Sequence, residues 1–150
     1  MGYKSVGFAK WIVLALLATA SAGCFDNGPK RKKVYVVRGT VTYRGEPAEG
    51  VELNFAPVQD SPDVTFATGI SGPGGEFQLS TFKQHDGAPS GDYTVTAFWP
   101  DRRKGATKVV AAAGEELAPD RLKGEYSNPK TSKLKATVLE QPNNLKIDIK

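Results

Sequence analysis

Residues 92–99, which have the sequence DYTVTAFW, form the strongest strand pattern of the chain. Aromatic and β-branched residues dominate this segment, and both types favour extended backbone. Because successive side chains of a strand point to opposite faces, one face carries a continuous apolar row: Tyr93, Val95, Ala97 and Trp99. Thr94 and Thr96 lie on the other face, together with the large apolar side chain of Phe98. We therefore predict that the first face is core and that Phe98 is a candidate ligand-binding residue.

Six further segments with strand composition lie on either side of this one, at 34–43, 51–55, 66–70, 76–81, 134–138 and 145–149. Their apolar residues recur with a period of two, as in a sheet with one buried face. A turn at 44–47 separates the first two segments, and the glycine-rich turn at 72–75 predicts a hairpin between 66–70 and 76–81. Seven short strands predict an all-β fold over residues 34–150, a seven-stranded antiparallel β-sandwich of immunoglobulin-like or prealbumin-like kind.

A long insertion, residues 100–125, interrupts this series of strands. Gly114 and Pro119 disfavour a continuous helix there, so at most one or two helical turns are expected. The insertion begins with a basic stretch that contains Arg102 and Arg103, which are candidates for contact with an anionic polymer or lipid. The alternative is an ordinary solvated loop, since loops of this length are either functional or mobile.

The N-terminal segment, residues 1–23, has the organisation of a secretory signal peptide. Lys4 and Lys10 precede an uncharged apolar run at 11–20, and small residues follow at 21–23. The run is shorter than the roughly 20 apolar residues that a helix needs to span a bilayer. It is also apolar on every side, whereas a helix of a soluble core has one apolar stripe. We therefore expect an export signal rather than a permanent transmembrane helix.

Ser21, Ala22, Gly23 and Cys24 together resemble the lipobox of bacterial lipoproteins. The resemblance implies cleavage between Gly23 and Cys24, diacylglycerol on the Cys24 thiol, and a further acyl chain such as palmitate on the new amino group. Such chains anchor a protein firmly, because each buried CH₂ contributes about 0.8 kcal/mol. Phe25 in the second mature position favours the outer membrane in a cell that has two membranes. The alternatives are a secreted protein with a free cysteine and a cysteine buried in a core.

Residues 24–33 are expected to form the lipidated start of the mature chain and a flexible basic linker. They show no apolar periodicity and end in four consecutive cations at 30–33. Removal of residues 1–23 takes away two lysines and no acid, so the 20 Lys and Arg become 18 against 16 Asp and Glu. The resulting charge of 18 minus 16, or +2, is small. Export also separates the protein from nucleic acid, so no nucleic-acid partner is expected.

Three stretches of the domain carry a recognisable pattern of glycines, prolines and strand residues. They are VRGTVTYRGEPAEGV at 37–51, TGISGPGGEF at 68–77 and GAPSGDYTV at 87–95. Together they resemble carboxypeptidase regulatory-like, or transthyretin-like, domains, although Ser71 occupies a position where these domains commonly have Asp. The resemblance implies a β-sandwich that serves as an accessory or interaction module, and it brings no general set of catalytic residues.

The inventory of reactive side chains weighs against catalysis. The chain has one Cys and one His, so it holds no internal disulfide or cysteine-based zinc site and offers few nucleophile–base pairs. Asp86 follows His85, but no nucleophile motif accompanies them, and we interpret His85 as a solvated loop residue. We predict no enzyme activity, no metal site and no cofactor.

The predicted function is that of a non-catalytic, lipid-anchored protein of the bacterial cell envelope that displays a β-sandwich interaction domain. Its expected partners are the membrane, through Cys24, and an envelope protein or glycan. The alternative is a carbohydrate-binding envelope module that uses Phe98 or aromatic residues of the loops, and an uncharacterised hydrolase ranks third.

Overall fold

A computed structural model of the protein describes residues 1–2, 31–59, 64–103, 109–110 and 116–150. Its contacts separate two units, Met1–Arg31 and Lys32–Lys150, and all described strands belong to the second. The regular structure of the described residues is entirely β, which confirms the predicted all-β class. Within these residues no helix is long and apolar enough to cross a membrane.

The described residues contain twelve strand segments, more than the predicted seven. The excess arises because the segment at 34–43 is split at Val36, and because turns and the insertion carry strands of two residues. In chain order the strands are β1 (Val34–Tyr35), β2 (Val37–Tyr43), β3 (Glu46–Pro47), β4 (Glu52–Pro57), β5 (Ala67–Ile70), β6 (Glu76–Gln78), β7 (Ala88–Pro89), β8 (Gly91–Phe98), β9 (Val109–Val110), β10 (Glu116–Leu117), β11 (Lys135–Val138) and β12 (Asn143–Ile149).

Two larger sheets organise the domain. Strands β11, β8, β4 and β5 form, in this order, a four-stranded antiparallel sheet, which we call sheet A. The second sheet, sheet B, has the order β12-β2-β3, and β6 also pairs with β2. β1 pairs separately with β7, and β9 with β10. In sheet A, β8 lies between two paired strands, so the segment with the strongest strand pattern is also an interior strand.

The inward-facing side chains of both sheets meet in one hydrophobic core. The ring centroid of Phe55 in sheet A lies 6.2 Å from that of Phe77 in sheet B and 6.0 Å from that of Tyr93. Aromatic pairs in this range contribute about 0.5–1.5 kcal/mol beyond the area that they bury. The predicted core face of β8 is confirmed, because all four members of its apolar row are buried: Tyr93, Val95, Ala97 and Trp99.

Strands β2 and β12 run parallel, from the pair Val37–Asn143 to the pair Tyr43–Ile149. The sequence predicts antiparallel pairing, which is wrong for these two strands. A parallel pair needs a long connection, and nearly the whole domain lies between β2 and β12 along the chain. Such a pairing leaves no local signal, because no turn joins the two strands.

The predicted hairpin between 66–70 and 76–81 forms only in part, because Thr68 and Ser80 exchange two backbone hydrogen bonds, at 2.9 and 2.8 Å, while the rest of the two segments separates. β5 pairs with β4 in sheet A, whereas β6 pairs with β2 in sheet B, and an isolated bridge between Thr68 and Ser80 joins the two segments. The two segments join different sheets because of a contact made by the turn at 72–75. Val41 donates its backbone N–H to Gly75 O at 2.7 Å, and a Cβ on Gly75 would lie 2.4 Å from Val41 O. This close contact with β2 draws the chain into sheet B.

Ser71 occupies the position where the resemblance would place Asp, and it is buried. Its Oγ accepts a hydrogen bond from Val51 N at 2.9 Å and donates one to Ala48 O at 2.6 Å. An ionised carboxylate has no hydrogen to donate, so Asp would leave the Ala48 carbonyl facing a second acceptor. A hydroxyl fits this site because it donates and accepts at once.

The insertion is described at 100–103, 109–110 and 116–125. β9 and β10 pair in antiparallel register, and residues 121–126 form turns without a regular helix, which is compatible with the expected maximum of one or two helical turns. Pro100 and Asp120 form an antiparallel bridge. This bridge returns the end of the insertion to the end of β8, where the insertion began.

Candidate functional site

The outer face of sheet A, which points away from the core, forms the first candidate site. Glu52 of β4 is paired with Phe98 on β8 and with Ile70 on β5, and Asn54 is paired with Thr96. Because side chains alternate along each strand, these residues project from one face. With residues of the loop 80–85 they line a cleft of about 730 Å³, which we call the outer-face cleft.

Phe98 and Ile70 supply apolar surface to the outer-face cleft. Phe98 is half-buried, and Ile70 is 64% exposed. Glu52 lies between them in the strand pairing, so a carboxylate separates the two apolar side chains. An aromatic ring beside polar side chains suits a ligand that has both an apolar face and hydroxyl groups.

Asn54 introduces an unsatisfied polar atom at the outer-face cleft. Its Oδ1 is buried and accepts no hydrogen bond from the part of the chain that the structure describes. The hydroxyl of its neighbour Thr96 donates instead to the backbone O of Asn54, at 3.4 Å. A buried acceptor without a donor costs about 1–3 kcal/mol. The unpaired oxygen of Asn54 thus lies beneath the surface of the cleft and is not exposed to a ligand.

The carboxylate of Asp86 holds the loop beside the outer-face cleft. It accepts backbone N–H bonds from Thr81 at 2.7 Å, Phe82 at 3.0 Å and Lys83 at 2.9 Å. Burial raises the pKa of Asp86, but these hydrogen bonds lower it, and the net pKa lies below the usual value. Both oxygens are thus engaged by the backbone, so Asp86 does not orient His85, which lines the cleft as an exposed residue. Among the described residues no group of three or more His, Cys, Asp or Glu is arranged to hold a metal ion.

A second cleft lies at the end of β8, where the insertion begins. It has a volume of about 750 Å³ and lies between residues 43–50 on one side and residues 99–103 with residue 121 on the other. We call it the arginine cleft, because four arginines line it together with Tyr43 and Trp99: Arg44, Arg102, Arg103 and Arg121.

Trp99 forms the base of the arginine cleft. Its ring is buried, its Nε1 donates to Glu49 O at 2.7 Å, and the Tyr43 ring meets it edge-on at a centroid distance of 5.4 Å. The guanidinium carbon of Arg121 lies over the indole, 3.5 Å from the ring centroid. That of Arg44 lies over the Tyr43 ring at 5.1 Å. Cation–π contacts contribute about 0.5–2 kcal/mol each, so aromatic rings hold two of the four guanidinium groups.

Asp120 fixes the segment that carries Arg121. Its Oδ1 accepts the backbone N–H of Trp99 at 3.0 Å and that of Leu122 at 2.9 Å, and its Oδ2 accepts that of Gly124 at 2.9 Å. Arg121 in turn donates its backbone N–H to Trp99 O at 2.8 Å. Hydrogen bonds to an ionised acceptor are stronger than neutral ones. The backbone therefore places Arg121 over Trp99 independently of the ring contact.

Arg102 and Arg103 are well exposed, and each has an acidic partner. The guanidinium of Arg102 lies 3.7 Å from Glu52 Oε1, a distance and exposure at which an ion pair contributes little stability. Arg103 donates to both carboxylate oxygens of Asp101. These side-chain hydrogen bonds lower the pKa of Asp101 to about 2, against an opposing effect of burial, and the charge of Arg121 adds to the lowering.

The structure divides the three predicted ligand-binding residues between the two clefts. Phe98 lines the outer-face cleft, whereas Arg102 and Arg103 line the arginine cleft. The ion pair between Arg102 and Glu52 connects the clefts, because Glu52 is paired with Phe98 in sheet A. The predicted residues thus adjoin one another without sharing one cavity.

Sequence reasoning missed Arg44 and Arg121. Arg44 lies in the turn at 44–47, for which the sequence predicts only turn chemistry, and it takes a φ of 53° there. Arg121 lies near the end of the insertion, away from the basic stretch with which the insertion begins. The signal that marks it is the sequence PDRLKG at 119–124, since Pro and Asp open turns and Gly124 closes this one at a φ of 76°. Such a pattern predicts a folded turn rather than a solvated loop.

Gly23 and Cys24 lie outside the described residues, as do the rest of the apolar segment and the linker as far as residue 30. Lipidation of Cys24, cleavage before it and the linker boundaries therefore stay predictions.

Comparisons with known proteins add little. No protein-family model matches the chain. No curated protein matches it either. A 9R-lipoxygenase from Cyanothece PCC8801, known from its crystal structure, is similar over 77% of this chain and 16% of its own length, at 10% identity and a TM-score of 0.42. A likeness this weak carries no inference about fold or activity.

Proposed function

We propose that the protein is a lipid-anchored, non-enzymatic binding protein of the bacterial cell envelope. Acyl chains on Cys24 hold it at the membrane, the linker 24–33 gives it reach, and the domain 34–150 engages a partner. The signal-peptide pattern that ends at Gly23 and Cys24 supports the anchor. An unmodified, unpaired thiol would be an oxidation liability after export, which also favours lipidation. The outer membrane is the expected location in a cell with two membranes.

The domain is best interpreted as a β-sandwich of prealbumin-like kind, with sheets A and B as its two layers. The contact between Phe55 of sheet A and Phe77 of sheet B supports this interpretation, as does the single core to which both sheets contribute. A sandwich is a rigid scaffold whose loops and outer faces are free to carry binding residues.

One observation carries the binding role: two clefts adjoin at the pair Arg102–Glu52, and both present groups suited to holding a ligand. The outer-face cleft offers the ring of Phe98 beside the carboxylate of Glu52, and the arginine cleft offers guanidinium groups held by aromatic rings. The carboxylates of Asp86 and Asp120 accept backbone N–H groups, so these two acids act in the structure rather than in proton transfer.

Mass spectrometry of the protein isolated from its native membrane tests the anchor. We expect a mature chain that begins at Cys24 and carries diacylglycerol and an acyl chain. Cys24→Ser should remain unprocessed, whereas Ser21→Ala, which preserves the small residues before the cysteine, should be processed normally. An unmodified Cys24, or a chain that still begins at Met1, contradicts the proposal.

Crosslinking of intact envelopes tests the binding role. The full-length protein should crosslink to a defined envelope component, and Arg121→Gln should weaken this crosslinking. Arg38→Gln is the matched control, because Arg38 is an exposed arginine of β2 that lines neither cleft. Crosslinking that is equal in both variants contradicts a role for the clefts. Turnover of an ester or amide substrate by the purified protein would contradict the non-enzymatic assignment.

Binding of a carbohydrate at the outer-face cleft is the second candidate function. The half-buried ring of Phe98 beside the partly exposed carboxylate of Glu52 favours it, because sugars supply apolar ring faces and hydroxyl donors together. Phe98→Ala should abolish retention on envelope polysaccharide, whereas Phe66→Ala, which removes a ring that is 50% exposed and lines no part of this cleft, should leave it intact. Equal retention of the two variants argues against this candidate.

A further inference from the structure

We propose that the arginine cleft is a binding site for the carboxylate groups of an acidic polysaccharide. The inference rests on the binding role proposed above and goes beyond it by assigning a site and a class of ligand. It depends on three features of the cleft: how its guanidinium groups are held, which acids accompany them, and how rigidly the cleft is built.

Arg121 is held with its hydrogen-bond donors available. With its guanidinium carbon 3.5 Å from the ring centroid, the guanidinium lies face to face with the Trp99 indole, since an edge-on approach would keep that carbon farther away. The N–H donors lie in the guanidinium plane and therefore point past the ring. Among the described residues, the ion pairs within 4.0 Å involve Arg102 and Arg103, and neither Arg121 nor Arg44 belongs to one. The charge of Arg121 contributes to the lowered pKa of Asp101, although the two side chains form no ion pair within 4.0 Å.

The chemistry of the cleft selects carboxylate over a more densely charged anion. A guanidinium fork matches a carboxylate through two parallel N–H···O bonds. Glu46, Glu49 and Asp101 line the same cleft, where they repel most strongly a polymer whose negative charges are closely spaced, such as polyphosphate. The same carboxylates accept hydrogen bonds from hydroxyl groups. A polymer of uronic acids places one carboxylate among several hydroxyls on each sugar and so satisfies both sets of groups.

The cleft needs little rearrangement to bind. Trp99 is fixed by its Nε1 bond to Glu49 O, and the backbone around Arg121 is fixed by Asp120. Groups held before binding lose less conformational entropy on binding, so affinity per contact is higher. Asp120 touches the backbone and not the ligand, which makes it a positioning residue for Arg121.

Calorimetric titration of the full-length protein in detergent with polygalacturonate oligomers tests the proposal. Arg121→Gln should weaken binding about tenfold or more, since it removes charge-assisted hydrogen bonds. Arg121→Lys should fall between Arg121→Gln and the unmodified protein, because lysine keeps the charge and loses the planar fork. Arg38→Gln removes the same charge outside both clefts and should change the affinity less than about twofold. Methyl-esterified oligomers, which keep the hydroxyls and lose the charge, should bind at least about tenfold more weakly.

Four outcomes overturn the proposal: equal losses for Arg121→Gln and Arg38→Gln, equal affinity for the methyl-esterified oligomer, tighter binding of polyphosphate than of polygalacturonate, and no binding of polygalacturonate by the folded protein. Circular dichroism verifies that each variant is folded, and Arg121→Lys supplies the comparison if Arg121→Gln unfolds. If polygalacturonate does not bind while envelope crosslinking still depends on the cleft residues, the ligand class is wrong and the proposed binding function stands.

Discussion

Replacement of Asp120 by alanine should destabilise the domain at the point where the arginine cleft is assembled. Asp120→Ala removes three hydrogen bonds, which the carboxylate accepts from the backbone N–H groups of Trp99, Leu122 and Gly124. The first two bonds are partly buried, and loss of each costs about 1.5 kcal/mol. The bond of the Gly124 N–H is exposed, so in the variant this N–H donates to water and its loss adds little. We therefore expect the free energy of unfolding to fall by about 3 kcal/mol.

Urea unfolding followed by tryptophan fluorescence measures this change. The chain has two tryptophans, Trp11 and Trp99, and the proposed cleavage before Cys24 removes Trp11, so the signal of the mature protein reports Trp99. With a slope of about 1–3 kcal/mol per M, the midpoint should fall by about 1–3 M. Asp120→Asn keeps one acceptor oxygen and should lose about half as much free energy. Glu140→Ala removes an exposed carboxylate of the same charge and should stay within about 0.5 kcal/mol.

Fluorescence of the folded protein gives a local measurement of the same change. Trp99 is buried under Arg121, so release of residues 119–124 should expose the indole and shift its emission to longer wavelength before urea is added. If Asp120→Ala and Glu140→Ala unfold at the same urea concentration with the same emission maximum, the three hydrogen bonds do not hold this segment, and the positioning role of Asp120 is refuted.

Three features of the core should respond in distinct ways. Ser71→Ala removes both backbone hydrogen bonds of a buried hydroxyl and should cost about 2–4 kcal/mol in urea unfolding, so a cost below about 1 kcal/mol contradicts the geometry. Gly39→Ala should lower the free energy of unfolding by about 1–3 kcal/mol, because its Cβ would lie 2.3 Å from Leu145 O and 2.6 Å from Phe77 Cζ. Unchanged stability would contradict the β2–β12 register. Burial raises the pKa of Tyr93 to about 12 from 10.0. The contribution of the neutral phenol to the free energy of unfolding is therefore fully present below about pH 10, and it is lost as the pH rises through 12. Phenolate absorbance should show one tyrosine titrating late, and Tyr93→Phe should remove that component.

Strand β8 shows what a local pattern determines and where it stops. The predicted strand at 92–99 matches the observed Gly91–Phe98 closely, and its apolar row is buried. Thr94 and Thr96, which the alternation places on the open face, are nonetheless only 7% exposed. β8 lies between β11 and β4, and paired neighbours on both edges cover part of its polar face as well. The alternation specifies which face is core, but the position of a strand within its sheet depends on the other strands.

Pairing between distant segments escapes sequence reasoning for a related reason. The turn at 72–75 is correctly predicted from its glycines, but the same turn can close a hairpin along its whole length or pass the chain to another sheet after a single bridge. The contact of Gly75 with Val41 decides between these outcomes, and it joins residues more than thirty positions apart. The parallel pairing of β2 with β12 is likewise a tertiary property, since the apolar period of two is the same in parallel and antiparallel strands.

The arginine cleft combines both kinds of information. Arg102 and Arg103 are recognisable because adjacent cations begin a long loop, whereas Arg121 becomes a site residue only because the loop returns to its own start. Part of that return is local, since the Asp120 carboxylate bonds to the N–H groups of the turn that follows it. Its bond to the N–H of Trp99 depends on the fold and selects the ring on which Arg121 rests. The hydrogen bonds that close the insertion are therefore the same ones that place Arg121 over Trp99 in the arginine cleft.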